Sequence, residues 1–232
     1  EIYLAKQQYD KAEIVAQNYL SAHPADVHAV EMQRVLGTAF YHYGKFLEAM
    51  EPLEQYAVSA GQPRRDACYM LGMACYRCGV YSKVPEWLGR VTLEDDALAQ
   101  NAYLHMGLAY LQMSDKNKAR MAFEQAAVSE ADRHLKEQAA YNYALCIHET
   151  AYSAFGESVA VFENFLNEFP SSAYADKVSS YLVDVYMSTR SYEAALQSIE
   201  RIKEPNTDIL RAKTRILFQL GTQAFANADF AG

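Results

Sequence analysis

The sequence predicts an all-α fold, a solenoid of stacked antiparallel helix pairs, and three observations carry that prediction. Glycines recur 35 residues apart in a fixed setting: Leu36-Gly37-x-x-Phe40, Leu71-Gly72-x-x-Cys75 and Met106-Gly107-x-x-Tyr110. After each comes a turn, then a small or β-branched residue followed four later by a large apolar one: Ala49 with Leu53, Val84 with Leu88, Ala119 with Phe123, again 35 apart. Self-similarity at one fixed period is the mark of a repeat architecture. With only 10 Gly and 6 Pro in 232 residues, long stretches are free to run as helix between these markers.

Taken in order, Glu1-Ile2-Tyr3-Leu4-Ala5 already reads as helix, and Ala12 and Ala16 belong to a second helix whose partner is mostly missing. Residues 1–26 are therefore a partial unit. Full units follow at about 27–63, 64–98 and 99–134 on the three strong markers. The pattern loosens in 135–172, where Tyr143-Ala144-x-x-Ile147 pairs with Ser158 and Phe162, and in 173–207, where Leu182-Val183-x-x-Tyr186 pairs with Ala195 and Ile199. Leu220-Gly221-x-x-Ala224 opens a partial unit at 208–232. The chain thus reads as a fragment of a longer protein, five helix pairs between two incomplete ones.

The first helix of each pair carries apolar residues at i, i+3, i+4 and i+7, as in Cys68, Leu71, Gly72 and Cys75. A small residue beside the large one should let the partner helix approach closely. Turns are expected at Tyr43-Gly44-Lys45, Cys78-Gly79-Val80, Ser114-Asp115-Lys116, Phe155-Gly156-Glu157 and Thr189-Arg190-Ser191. Glycine there supplies the left-handed backbone at a helix end, and Ser or Asp caps the next helix. Pro24 and Pro170 end helices at unit boundaries. Pro85, following Ser82 as cap, fits a first helical turn. Pro52 falls about one and a half turns into its helix, which predicts a late start or a kink.

Several function classes are disfavoured. The formal charge is −8, and no run of Lys/Arg exceeds Arg64-Arg65, so the basic face that phosphate contacts or anionic membrane surfaces require is absent. No apolar stretch approaches the roughly 20 residues of a membrane span. Of Cys68, Cys75, Cys78 and Cys146, three fall within eleven residues of one helix, which is not the spread framework of a disulfide-stapled domain; reduced, buried thiols are expected. Cys75-x-x-Cys78 lacks the second ligand pair of a zinc site and sits at a helix end rather than a helix start. His148-Glu149 would need a second histidine at Tyr152 to bind metal as a protease does. His23, His28, His42, His105 and His134 are scattered, there is no Gly-rich phosphate loop, and Glu94-Asp95-Asp96 reads as a solvated turn. No catalytic residue, metal or cofactor is expected.

The pattern Leu-Gly-x-x-aromatic, then Ala-x-x-x-Phe, then Pro resembles the tetratricopeptide repeat family over essentially the whole chain. The fullest match is Tyr103-x-x-Met106-Gly107-x-x-Tyr110 with Ala119-x-x-x-Phe123. The departures are Ala144 and Val183 for the glycine, Cys75 for the aromatic, and the longer fifth and sixth units. Separately, residues 165–176, Phe165 through Asp176, resemble the linker between repeats in bacterial cell-envelope members such as outer-membrane assembly lipoproteins and TolA-binding coordinators. That leans the localisation toward a bacterial periplasm or envelope.

The resemblance implies a right-handed superhelix whose concave surface is lined by the first helices and suits a peptide or a partner helix. By helical geometry that surface carries Arg34, Thr38, Tyr41 and His42; Tyr69, Met73, Tyr76 and Arg77; Leu104, Leu108 and Leu111; Tyr141, Leu145 and His148; and Ser180, Asp184 and Met187. Tyr, Arg and Met are interface-enriched or adaptable types, although tyrosines also pack between neighbouring repeats. Some family members clamp a C-terminal carboxylate with Lys, Asn and Arg; here Thr38 and Met70 stand where asparagines are needed, so no clamp of that type is expected. A protein-interaction scaffold is the leading expectation. The alternatives are the repeat arm of a larger enzyme or regulator, and RNA binding of the pentatricopeptide kind, which would need a basic groove. The sequence does not fix the oligomeric state.

Overall fold

The computed structural model describes residues 1–150 and 155–226, with Phe155 described in its backbone alone; Tyr152 lies outside them. Among the described residues the chain forms helices and no strand: α1 (Ile2–Ala5), α2 (Tyr9–Ala22), α3 (Ala29–His42), α4 (Phe46–Ser59), α5 (Arg65–Arg77), α6 (Val84–Leu88), α7 (Ala97–Gln112), α8 (Lys116–Val128), α9 (Arg133–Glu149), α10 (Phe155–Glu168), α11 (Ala175–Thr189), α12 (Tyr192–Arg201) and α13 (Thr207–Ala226). They fall into two compact units, Glu1–Asp132 and Arg133–Gly232.

Within the first unit each helix from α1 to α8 packs on the next, and the odd-numbered helices also lie side by side, α3 beside α5 and α5 beside α7. Within the second, α9 packs on α10, α10 on α11, and α11 and α12 on α13, with α9 beside α11 and α11 beside α13. Among the described residues of either unit, no helix meets one farther along the chain than the next but one. A closed bundle would bring first and last helices together; nearest-neighbour stacking is the contact pattern of an α-solenoid.

The glycine register explains why the pairs close. A Cβ on Gly37 would stand 2.5 Å from Leu53 Cγ, one on Gly72 2.5 Å from Leu88 Cδ2, and one on Gly107 2.5 Å from Phe123 Cε1. Each glycine is a socket in a first helix for the large side chain of its second helix, and Leu53, Leu88 and Phe123 are all fully buried. The cores follow from these sockets. In the first unit Leu53, Leu71, Val84, Trp87, Leu88 and Val91 join one cluster. In the second, Ile147, Phe162, Leu182, Tyr186, Ile199 and Ile209 join another, and Ala144 takes the glycine's place beside Phe162.

The turns depart from expectation in instructive ways. Gly44 and Gly79 do adopt positive φ (72° and 75°), but Ser114 (61°) and Arg190 (54°) hold the same position without glycine. Asp115 then caps α8 by accepting from the Lys118 amide at 3.1 Å, whereas Ser191 makes no side-chain cap bond to α12. α4 starts at Phe46 and runs unbroken through the buried Pro52, so the late start is not found. Ser82 is not a cap: it sits in a 3-10 turn, Tyr81–Lys83, and Pro85 lies in the first turn of α6 behind it. That second helix is a single short one: Gly89 still holds right-handed helical angles, and the chain then continues in tighter turns, with the Arg90 and Val91 amides donating three residues back. Phe155-Gly156-Glu157 is the first turn of α10 rather than a loop.

Candidate functional site

The side-by-side first helices of the first unit bring the expected residues into rows. Thr38, Met73 and Leu108 share one repeat position, and Tyr41, Tyr76 and Leu111 the next turn, at 35-residue steps. Burial sorts them. Arg34 (3% exposed), Thr38, Met73 and Leu104 are buried. Tyr41, Tyr69, Tyr76, Leu108 and Leu111 are half-buried, and His42 and Arg77 are exposed.

Each tyrosine in this row has a neighbour in the next repeat or the next helix. Tyr69 donates its hydroxyl to Asn101 Oδ1 at 2.8 Å, tying α5 to α7. Tyr76 meets the ring of His105 edge-on at 5.0 Å and that of Tyr81 at 5.8 Å. Tyr41 contacts Phe46 at 5.5 Å, and His42 stacks on Tyr9 at 4.4 Å. His105 donates Nδ1–H to the Asn101 carbonyl at 3.0 Å, which leaves Nε2 as the acceptor of a neutral ring. Burial lowers the pKa of His105 and of His42. Burial pushes the Tyr69 phenol up to about 12.

Arg34 is spoken for. It bonds Glu31 at 2.7 and 2.8 Å and also reaches Glu1, and burial lowers its pKa. A buried, doubly paired guanidinium is not offered to a ligand carboxylate. One turn on, the Thr38 hydroxyl is buried with no hydrogen-bond partner among the described residues.

In the second unit, Tyr141 stacks on Tyr174 at 4.1 Å and His148 on Tyr181 at 4.1 Å, each ring pair nearly parallel. Both pairs join α9 to α11 or its approach. Leu145 is half-buried against the core. Ser180 donates to the Lys177 carbonyl, Met187 is half-buried, and Asp184 is exposed. A polar cluster here was not legible in the sequence. Arg201 makes two bonds to the buried Glu163, at 2.8 and 2.9 Å, and Ser198 links that carboxylate to the Tyr186 hydroxyl. It bridges α10, α11 and α12: Glu163, Ser198 and Tyr186 are buried and Arg201 closes the cluster from the exposed side, so every polar group in it is already paired.

The acidic turn at residues 94–96 is more than solvated. Asp96 takes both terminal nitrogens of Arg65 at 2.6 Å and caps α7 through the Ala99 amide at 2.9 Å. The Arg65 guanidinium beside it holds its carboxyl well below the usual range. A cleft of 310 Å³ lies between this turn, α7 and α8, lined in part by Glu94, Asp95, Tyr103 and Gln125. Its carboxylates are engaged, Glu94 with Arg65 and Asp95 with the Ser129 hydroxyl.

The four cysteines are free thiols, with Cys68, Cys75 and Cys146 buried and Cys78 half-buried. Burial pushes Cys75 up to about 11, which keeps it protonated and unreactive at neutral pH. No group of His, Cys, Asp and Glu suited to a metal ion occurs among the described residues, and no described helix is long and apolar enough to cross a membrane.

No family model matches the sequence, and no curated protein matches it either. Solved structures do. The crystal structure of a tetratricopeptide repeat protein from Parabacteroides merdae aligns with a TM-score of 0.53 at 18% identity, over 98% of this chain and 83% of that one. The tetratricopeptide repeat domain of P58(IPK) aligns over 95% of this chain and 63% of that one, at 13% identity and a TM-score of 0.35. The glycine sockets, the nearest-neighbour packing of helix pairs and the first of these likenesses agree: this chain has the tetratricopeptide repeat fold.

Proposed function

We propose that the chain is a non-catalytic protein-interaction scaffold whose first helices present the binding surface, holding an extended peptide or a partner helix. One observation carries this: in the first unit, α3, α5 and α7 lie side by side and set half-buried Tyr41, Tyr69, Tyr76, Leu108 and Leu111 in rows. Large apolar surface with polar tips, held rigid by ring contacts between repeats, is what a partner needs in order to gain contact area at little ordering cost. In this reading the rows face a concave groove. The second unit offers the stacked pairs at Tyr141 and His148, with Asp184 and Met187 beyond them.

Polar clusters whose members are already paired and a thiol raised by burial offer no activated nucleophile, so the reading assigns no catalysis to the described residues. The net charge of −8 argues against nucleic acid as the partner. A bacterial cell-envelope complex is the setting we favour, on the resemblance of residues 165–176 alone.

The test is selection of peptides from a random decapeptide display library on the purified chain, followed by affinity measurement on synthetic copies. Leu108→Ser and Leu111→Ser should each weaken binding about tenfold or more, the scale of a lost interface anchor. Val58→Ser and Met121→Ser, at exposed positions of the second helices α4 and α8, should leave it unchanged. The reverse pattern would move the binding surface to the second helices.

A further inference from the structure

Arg77 is the last residue of α5 and is exposed. Unlike Arg34, Arg64, Arg65 and Arg201, each paired with a carboxylate, it has no hydrogen bond or ion pair among the described residues. Its nearest aromatic ring is Phe46, 6.0 Å from the guanidinium carbon, at the outer limit of a cation–π contact. The negative end of the α5 dipole favours a cation there, but its effect at an exposed end is small and leaves all five N–H donors unmatched.

The surroundings are donors as well. Tyr41 meets the same Phe46 ring edge-on at 5.5 Å, and Tyr76 precedes Arg77 in the chain. Neither hydroxyl has a hydrogen-bond partner among the described residues, in contrast to Tyr69, whose hydroxyl is taken by Asn101. Burial raises the pKa of the Tyr41 and Tyr76 phenols, and the Arg77 charge acts on both in the opposite sense, which places them within its field. Next in the row, Leu108 and Leu111 supply apolar surface on α7.

Resting on the scaffold reading above, we propose that Arg77 is the anchor for an acidic side chain of the bound peptide. The guanidinium takes the carboxylate, the Tyr41 and Tyr76 hydroxyls are available to donate to it, and an aliphatic or aromatic residue beside the acid lies on Leu108 and Leu111. A charge-assisted bond to guanidinium is stronger than one to a neutral donor, and the bidentate form fixes orientation. The chain's net charge opposes acidic peptides at long range. At physiological ionic strength that repulsion is screened beyond about 8 Å, so the local cation decides.

The decapeptide library tests this directly. Selected peptides should be enriched in Asp or Glu next to a large apolar residue. Replacing that acid by its amide in a synthetic peptide should weaken binding about tenfold or more, and so should Arg77→Gln in the protein. The two changes together should cost no more than one, because they remove the same interaction. Arg77 is exposed, so the variant should match the parent in thermal melting. Tyr41→Phe and Tyr76→Phe should each weaken the acidic peptide and spare its amide form. Selection of neutral or basic peptides that still need Leu108 would leave the groove standing and overturn the role of Arg77. Additive losses would overturn it too. If no peptide is selected, both readings fall.

Discussion

The smallest determinant of this fold is a missing methyl group. Gly72 faces Leu88 so closely that an added Cβ would lie 2.5 Å from Cδ2 and 3.2 Å from the Leu88 backbone nitrogen. The side chain is fully buried and has nowhere to go, and the backbone would have to move with it. Gly72→Ala should therefore destabilise by about 1–3 kcal/mol through overpacking, although alanine is the better helix former. Gly61, where an added Cβ would meet nothing within 4 Å and φ is not positive, is the control: Gly61→Ala should be neutral or slightly stabilising. Urea unfolding of the two variants separates steric exclusion from backbone entropy. This is also why the fold could be read from sequence: a steric socket that favours glycine recurs at 35-residue steps, at Gly37, Gly72 and Gly107. The buried state of Arg34 could not be read: Glu31 lies one turn away on the same helix, but Glu1 reaches it only through the packing of α1 against α3.

At the scale of elements, neighbouring pairs are joined by polar bonds that cross from one helix start to another. Arg65, the first residue of α5, holds Asp96, the cap of α7. In the second unit Asn206 bonds Asp176 of α11 and caps α13 through the Ile209 amide. In the sequence Asp96 reads as part of a solvated turn, because an acidic run masks the one aspartate that caps; its arginine, 31 residues away, is hidden too, since charge pairing across a repeat leaves no local pattern. The short α6 was equally hidden, its Val84 and Leu88 marking a helix that ends within a turn. The Asp96 link makes acid stability informative. Its folded pKa is depressed below the unfolded value of 3.8 by the Arg65 bonds first and the Ala99 amide next. The carboxylate form is thus favoured in the folded state, so the stabilisation is complete above about pH 4 and is lost as pH falls below it. Asp96→Asn should lower the melting temperature at pH 7 and narrow the gap to the parent as the pH drops toward 2, read by circular dichroism.

For the molecule as a whole, nearest-neighbour packing has a consequence for cooperativity. A globule with first-to-last contacts unfolds as one, but a stack gains stability as a sum of neighbour interfaces, and its parts open separately when the interfaces differ in strength. Here the two compact units hold separate cores, one around Trp87, Leu53 and Leu88, the other around Phe162, Leu182 and Tyr186. The chain's single tryptophan lies in the first, 2% exposed, with Arg90 over its ring at 4.9 Å. Tryptophan emission therefore reports the first unit alone, while far-ultraviolet dichroism reports helix in both. If the units open as separate cooperative elements, urea titrations followed by the two signals should give different midpoints. Gly72→Ala, in the first unit, should move the emission midpoint more than the dichroism midpoint. Coincident curves that shift together would show instead that all the helix pairs unfold in one step.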